Sequence, residues 1–336
     1  MFAHDGMACA RRRRRMRPAA GHSGWLFAAA IFLVCDAAQA HGIVGNRAFA
    51  GTLAFDDPAV TDELVLPDAS TLEHPADGTS VTDDRIGWSF TRLLTSNVAF
   101  GIESGWIHRN WVLADRLGFD TTTLEVKDQL YKNETHEVMI SAALAWGIGG
   151  SGAQGVGANH PDTIRPGIFF GKGFGDLPDS LAWLRPFAIT GAVTLEHPLA
   201  DFATNLALDP QTGQLSPTLT RAVDTLHWGV SVQYSTYYLT SRYTPGKLPK
   251  EEPLPQFIPL VEFAFDTPRG EKTAATMNPG LAYLAGTWQA SVEAIVPLNS
   301  EGGHAVGARA AVFFFLDDLF PSAFGKPLLN QWTGSK

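Results

Sequence analysis

The sequence from Trp288 to Phe315 alternates between apolar and polar side chains at every second position. In its first half, apolar residues such as Val292 fall on one face of an extended chain, and polar residues such as Glu293 fall on the other. Period-two alternation over about ten residues predicts a β-strand with two different faces. The pattern stops at Asn299–Gly303 and then resumes, which predicts a hairpin in which Glu293 faces Arg309.

The same alternation recurs along the chain and predicts about twelve strands, with ten or fourteen as alternatives. The predicted strands are 47–56, 84–94, 98–112, 120–131, 135–149, 163–174, 183–196, 223–242, 256–266, 279–285, 288–298 and 306–315. Strands with one apolar and one polar face suit a barrel whose outside meets lipid and whose inside meets an enclosed lumen. The fold class predicted is therefore all-β, a single transmembrane antiparallel β-barrel.

The connections between the predicted strands are unequal in a regular way. Short turns at 95–97, 132–134 and 286–287 alternate with longer connections, of which 57–83 and 197–222 are the longest, and the linker 243–254 is an exception to this pattern. Outer-membrane barrels show this asymmetry, with short periplasmic turns and long external loops. The pattern predicts that both ends of the barrel domain lie in the periplasm.

The first forty residues read as a cleavable leader. An arginine-rich stretch, an apolar run at 25–34 and the small-x-small sequence Ala38-Gln39-Ala40 predict a secretory signal peptide over 1–40. This leaves 41–336 as the barrel domain. Met16 is an alternative start that would give a leader of more ordinary length.

The amino-acid composition narrows the class of protein and its expected partners. Cys9 and Cys35 both fall in the leader, so the processed chain is expected to have no disulfide and no thiolate chemistry. It keeps 19 of the 25 basic and 32 of the 34 acidic residues, a balance of −13 that argues against nucleic acid as a partner. No apolar run after residue 40 reaches the roughly 18 residues of a membrane helix. The expected location is the cell outer membrane, with the lipid bilayer, lipopolysaccharide and the outer-membrane assembly machinery as partners.

Motifs for catalysis or cofactor binding are weak. Gly150–Gly155 matches a dinucleotide-binding pattern, but the residues up to Pro161 cannot begin the helix that such a site requires. The sequence contains no G-x-S-x-G nucleophile elbow, no H-E-x-x-H zinc-protease motif and no phosphate-binding P-loop. We therefore expect no enzyme and no cofactor. His41, as a new N-terminus, is a candidate copper ligand, and the sequence suggests no other metal site.

Eleven charged or polar residues fall on the predicted lumen face. They are Arg85, Glu103, Glu125, Lys127, Glu137, His227, Gln233, Glu262, Gln289, Glu293 and Arg309. Two pairs are expected across neighbouring strands, Glu293 with Arg309 and Lys127 diagonally with Glu137. These residues either neutralise a narrow interior and fix the register, or form a polar path for a solute.

The C-terminal half resembles a family of bacterial outer-membrane β-barrels grouped under the label "MetA-pathway of phenol degradation". The segments that carry the resemblance are 175–181, 184–187, 258–263, 278–280, 292–299, 314–321 and 325–328. The likeness covers roughly 165–330. It implies a barrel with a transport role and supplies no catalytic or ligand-binding residues.

The functional expectation is a channel or transporter for a small solute, with an aromatic or otherwise apolar solute as one option. The first alternative is a structural or binding barrel with a plugged lumen, whose external loops 57–83 and 197–222 make contacts. The second is a lipid-modifying outer-membrane enzyme, for which His227 with Ser231 or Ser235 is the nearby grouping. Asp317-Asp318 after the last strand is expected to be a solvated periplasmic end.

Overall fold

The structure is a computed structural model, and the predicted signal peptide and His41 lie outside the residues that it describes. The described residues are 42–76, 79–111, 114–158, 160–209, 212, 214–243 and 255–329.

Strands dominate the described part of the chain. They are β1 Ile43–Val44, β2 Arg47–Ala48, β3 Glu63–Ala76, β4 Thr79–Leu93, β5 Val98–Trp111, β6 Ala114–Phe119, β7 Thr123–Asn133, β8 Val138–Gly147, β9 Thr163–Gly173, β10 Phe187–Pro198, β11 Phe202–Leu208, β12 Leu215–Arg221, β13 Thr225–Tyr234, β14 Gln256–Pro268, β15 Ala274–Leu284, β16 Trp288–Pro297 and β17 Gly307–Phe315. The helical elements are α1 Thr236–Tyr243, α2 Leu316–Leu319 and the 3-10 turns Gln154–Val156 and Asp179–Leu184.

Twelve of these strands close into one antiparallel barrel. Their order around the wall is β3-β4-β5-β7-β8-β9-β10-β13-β14-β15-β16-β17, and β17 pairs with β3 to complete the circle. β6 extends the pairing of β5, while β11 and β12 form a separate hairpin. The predicted fold class and strand number are confirmed.

The outside of the wall is apolar. Alternate side chains on the strands, such as Ile86, Ile168 and Val292, point away from the lumen, and each is more than half exposed. Closure leaves no unpaired strand edge, which satisfies the backbone within hydrocarbon, and an apolar outer face suits lipid. The protein is therefore an outer-membrane β-barrel. In the described ranges, no helix combines the length and the apolar character needed to cross a bilayer.

The two rims of the barrel differ. One rim carries the start of β3, the end of β17 and the short connections 94–97, 134–137 and 285–287, together with the longer connection 174–186 and the helix α1 after β13. The other carries the longer connections 148–162 and 199–224. We assign the first rim to the periplasm and the second to the cell exterior, following the asymmetry of outer-membrane barrels.

The first predicted strand is wrong. Residues 47–56 do not belong to the wall, and the first wall strand, β3, lies within the predicted loop 57–83. The acidic character of that region suggested a loop, but in a barrel the carboxylates can face the lumen. Asp68 of β3 lies 2.5 Å from Arg85 of the next strand.

Two other expectations need correction. The predicted strand 223–242 ends at Tyr234 and continues as α1, and the predicted connection 197–222 contains the β11–β12 hairpin. Asp317 is only 4% exposed, because α2 folds against the periplasmic rim.

Candidate functional site

The lumen is occupied by the residues that precede the first wall strand. Residues 42–62, here called the plug, begin as the small β1–β2 hairpin at the periplasmic rim. They then run extended into the lumen and return to Asp62, whose carboxylate accepts from the backbone N–H of Leu93 on the same rim. Gly45 adopts a positive φ of 62° in the β1–β2 turn, and a Cβ there would meet the carbonyl oxygen of Glu134 at 2.3 Å.

Two glutamines of the wall hold consecutive plug residues. The Gln233 side chain accepts from the N–H of Ala50 at 2.9 Å and donates to its carbonyl at 2.9 Å. The Gln289 side chain does the same for Gly51, at 3.1 and 3.0 Å. An extended segment leaves its backbone groups unpaired, and these amides supply the partners that a sheet neighbour would supply. Both glutamines were predicted to face the lumen.

Charged wall residues hold the next part of the plug. Glu262 accepts from the N–H of Leu53 at 3.3 Å and from the N–H of Ala54 at 2.7 Å. Arg309 donates to the carbonyl of Leu53 at 2.5 Å. The backbone of Leu53 is therefore bound by an acid on one side and a base on the other.

Lys127 binds the apex of the plug. Its Nζ donates to the Asp56 carboxylate and, at 2.6 Å, to the carbonyl of Asp57. Ser141 donates to the carbonyl of Pro58 at 2.5 Å. The expected diagonal pair of Lys127 with Glu137 is therefore wrong, because the plug supplies the acid that Lys127 needs.

Glu137 instead anchors the root of the plug. It lies in the turn before β8, with a φ of 49°, and its carboxylate is 3.3 Å from Nε of Arg47. The Arg47 guanidinium also donates to the carbonyl of Pro186 at 3.0 Å and stacks over the Tyr238 ring at 4.1 Å, while the Tyr238 hydroxyl donates to Glu137. Arg47 was missed as a site residue because its segment was taken for a wall strand.

Aromatic side chains of the plug fit against wall glycines. The Phe49 ring lies over Gly171, and a Cβ on Gly229 would meet the Phe55 ring at 2.3 Å. These glycines on the lumen side of β9 and β13 therefore leave room for the plug.

A cavity of about 310 Å³ remains between the plug and one side of the wall. Its lining includes six acidic residues and three basic ones. The charged lining residues are Asp56, Asp57, Glu63, Asp68, Glu103, Glu125, Arg85, Lys127 and Arg165. Four predicted lumen residues therefore meet at this cavity, namely Arg85, Glu103, Glu125 and Lys127.

The basic residues of the cavity are already engaged. Arg85 lies 2.5 Å from Asp68 and 2.8 Å from Asp120, and Arg165 lies 2.9 Å from Glu196. Lys127 binds the plug as described above. Glu103 and Glu125 occupy diagonal positions on β5 and β7, and neither makes an ion pair within the described part of the chain. The lining of the cavity therefore has more acidic than basic residues.

The possible enzyme site does not form. His227 lies near the external rim and contacts Asp266 at 2.5 Å. Ser231 is four residues further along the same strand, a distance of about 13 Å, and Ser235 is about twice as far. Neither serine can share a proton with His227. Across the described ranges, no group of three or more histidine, cysteine or acidic side chains could hold a metal ion.

Comparisons with known proteins add fold-level likenesses. No family model matches the sequence, and no curated protein matches it significantly. The NanC porin covers 74% of this chain and 98% of its own, at 9% identity and a TM-score of 0.40. The match with an outer-membrane channel from Pseudomonas putida F1 covers 76% of this chain and 96% of that channel, at 10% identity and a TM-score of 0.48.

The KdgM porin in complex with disordered oligogalacturonate covers 74% of this chain and 98% of its own, at 12% identity and a TM-score of 0.39. These likenesses concern the fold alone. The barrel assignment rests on the strand pairing of this chain itself.

Proposed function

We propose that the protein is an outer-membrane channel for a small polar solute, closed on its periplasmic side by its own plug. One observation carries the proposal: wall side chains bind the plug backbone within the lumen, beside a charged cavity of about 310 Å³. Twelve strands lie between barrels filled by side chains and barrels that enclose an open channel. The state of the plug therefore decides whether this barrel conducts.

The plug can leave without breaking the wall. Gln233, Glu262, Gln289 and Arg309 are polar groups that water can solvate when the plug is absent. Apolar plug residues also pack in clusters with the wall, and exposing them is a cost of release. The plug contributes no strand to the closed wall. Its departure would therefore leave every ladder of the barrel intact.

The lining indicates the class of solute. Six acidic and three basic residues line the cavity, and Glu103 and Glu125 are free to face a ligand. Rings of carboxylates favour cations. A cationic or zwitterionic solute therefore suits this lumen better than the aromatic or apolar solute that the sequence alone allows. Residues 165–330 resemble the outer-membrane barrels labelled "MetA-pathway of phenol degradation", and this resemblance supports a transport role. We propose that the chain belongs to that family.

A second candidate is a binding barrel whose plug never leaves. The polar and apolar contacts between plug and wall favour it, because each contact adds to the cost of release. The external β11–β12 hairpin would then be a contact surface. In either case insertion would rely on the outer-membrane assembly machinery, with lipopolysaccharide around the external rim.

Conductance separates these functions. The purified chain and a variant lacking residues 42–58 would be compared in planar bilayers, with heat-modifiable gel migration as the control for folding. We expect small or rare currents from the full chain and large, steady, cation-selective currents from the shortened one. Absence of current from a folded shortened barrel would contradict the channel. Lipid turnover by either protein would instead favour the enzyme.

A further inference from the structure

The apex of the plug brings acids of the plug against acids of the wall. Asp56 and Asp57 line the cavity of about 310 Å³ together with Glu63 of β3 and Glu125 of β7. Glu63 interacts electrostatically with both aspartates, and Glu125 interacts with Asp56. Like charges repel each other, and the repulsion is stronger in a small cavity than in bulk water. Seating the plug therefore brings together carboxyl groups that its release would separate.

Lys127 is the base that serves these four carboxyl groups, here called the apex acids. Its Nζ donates to the Asp56 carboxylate and to the carbonyl of Asp57, and the residue is only 5% exposed. Arg85 and Arg165 also line the cavity, but both are paired with acids outside this group, as described above. Lys127 balances one negative charge, so ionisation of all four apex acids would set plug against wall.

Other charged groups around the apex acids leave this imbalance in place. Glu103 of β5 acts on Glu125, and Asp317 of α2 acts on Glu63, and both are acids. Arg165 of β9 attracts Glu125, although its guanidinium is already engaged by another acid. Among the described residues of the lining, those from β8 and β17 carry no charge. A seated plug therefore favours fewer ionised apex acids than a released plug, whose carboxylates water solvates.

We propose that pH controls the plug: protons on Asp57, Glu63 and Glu125 keep it seated, and loss of these protons drives it from the lumen. At low pH the pair of Asp56 with Lys127 remains, and the other apex acids are neutral. As the pH rises, plug and wall become negative together and repel each other. The seated plug binds more protons than the released plug, so release becomes more favourable with increasing pH.

The remaining polar contacts of the plug do not supply this pH dependence. Gln233 and Gln289 bind the plug through amides, which do not titrate. The Glu262 carboxylate accepts from the plug backbone at Leu53 and Ala54, so its ionisation would strengthen the seat. That contact works in the opposite direction to the apex acids. The inference rests on the proposed release of the plug, but it does not depend on which solute passes.

Thiol labelling of the plug in the purified processed chain tests this control. Ala50 is 0% exposed, so a cysteine in Ala50→Cys should react with a maleimide only after release. Its labelling rate would be divided by that of Asp201→Cys, in an exposed loop, so that the pH dependence of the thiol itself cancels. We expect this ratio to rise about tenfold from about pH 6 to about pH 8, since one pKa unit is a factor of ten in an equilibrium.

Variants assign the rise to the apex acids. Glu63→Gln with Glu125→Gln removes two titrating groups and should reduce the rise to less than about twofold. Asp57→Asn should also reduce it, and this variant serves if the double variant lacks heat-modifiable migration. Glu271→Gln, in the exposed turn between β14 and β15, is the matched control and should keep the full rise.

A ratio that stays constant or falls as the pH rises would overturn the proposal. An undiminished rise in the folded double variant would also overturn it and would indicate histidines, which titrate in the same pH range. Failure of the barrel lacking residues 42–58 to conduct would instead contradict the proposed channel. Labelling of Ala50→Cys would still report the seating of the plug in that case, so the two failures are distinguishable.

Discussion

The side-chain amide of Gln233 pairs with both polar backbone groups of Ala50, accepting from its N–H and donating to its carbonyl at 2.9 Å each. A wall residue thus binds the plug as a neighbouring strand would. Gln289 repeats the arrangement on Gly51. Two side chains therefore decide whether four buried backbone groups of the plug are satisfied.

Removing these amides should loosen the plug. Gln233→Met and Gln289→Met each leave buried backbone groups without partners, at a cost of about 1–3 kcal/mol to the seated plug. We expect more frequent channel openings in bilayers from either variant and still more from the double variant. Gln129→Met removes an amide from another part of the wall, and openings that increased equally there would contradict a specific clamp.

Arg47 should be essential to the root of the plug because it pairs with the buried Glu137. Arg47→Met leaves that carboxylate without its charge partner, which costs about 3–5 kcal/mol. Adding Glu137→Gln removes the charge, so the double variant should be more stable than Arg47→Met alone. Thermal unfolding of the four proteins gives the coupling energy, and additive effects would argue against the pair.

Exchanging the charges of Glu293 and Arg309 should lower the stability of the barrel. The two residues are opposite each other, as the alternation predicts, but Arg309 donates to the plug at Leu53. In Glu293→Arg with Arg309→Glu, a carboxylate faces a carbonyl. We expect loss of heat-modifiable migration at lower temperature than for the wild type.

The matched control is reversal of Arg165 and Glu196, which contact each other at 2.9 Å. That exchange should be tolerated, since the pair is part-exposed and separate from the plug contacts. Full recovery in the Glu293 and Arg309 exchange would show that the Leu53 contact contributes little.

Asp317 should make the barrel less stable at high pH. Burial, and after it the neighbouring Asp318 carboxylate, raises the pKa of Asp317 from 3.8 to about 7. The folded chain therefore holds this proton more tightly than the unfolded chain, and stability falls as the pH rises from about 4 to about 7. Asp317→Asn should raise the unfolding midpoint at pH 8 and leave it unchanged near pH 4. Asp201→Asn in an exposed loop is the control, and a pH-independent effect of Asp317→Asn would contradict the assignment.

Alternation predicted most of the wall because every spanning strand must separate lipid from lumen. It failed at 47–56, where Phe49 and Phe55 also recur at even spacing. That spacing reports an extended chain, and a plug inside a lumen is as extended as a strand in the wall. Single-sequence periodicity cannot tell whether the partner is a neighbouring strand or a ring of side chains.

The candidate site was predicted in part. Gln233, Glu262 and Gln289 are on the face that alternation assigns to the lumen, and each contacts the plug. Their shared partner could not be predicted, because the contacts join residues about 180 to 240 positions apart in the sequence. The acidic residues of β3 also suggested a loop, but the Asp68 carboxylate faces Arg85 inside the barrel.

Reversible attachment of the plug to the wall tests the central claim most directly. The processed chain is expected to contain no cysteine, so Ala50→Cys with Gln233→Cys can be joined by a short bis-methanethiosulfonate that a reductant cleaves. Single-channel recordings should show no openings while the link is intact and openings after reduction. Equal currents before and after cleavage would contradict a lumen controlled by residues 42–62.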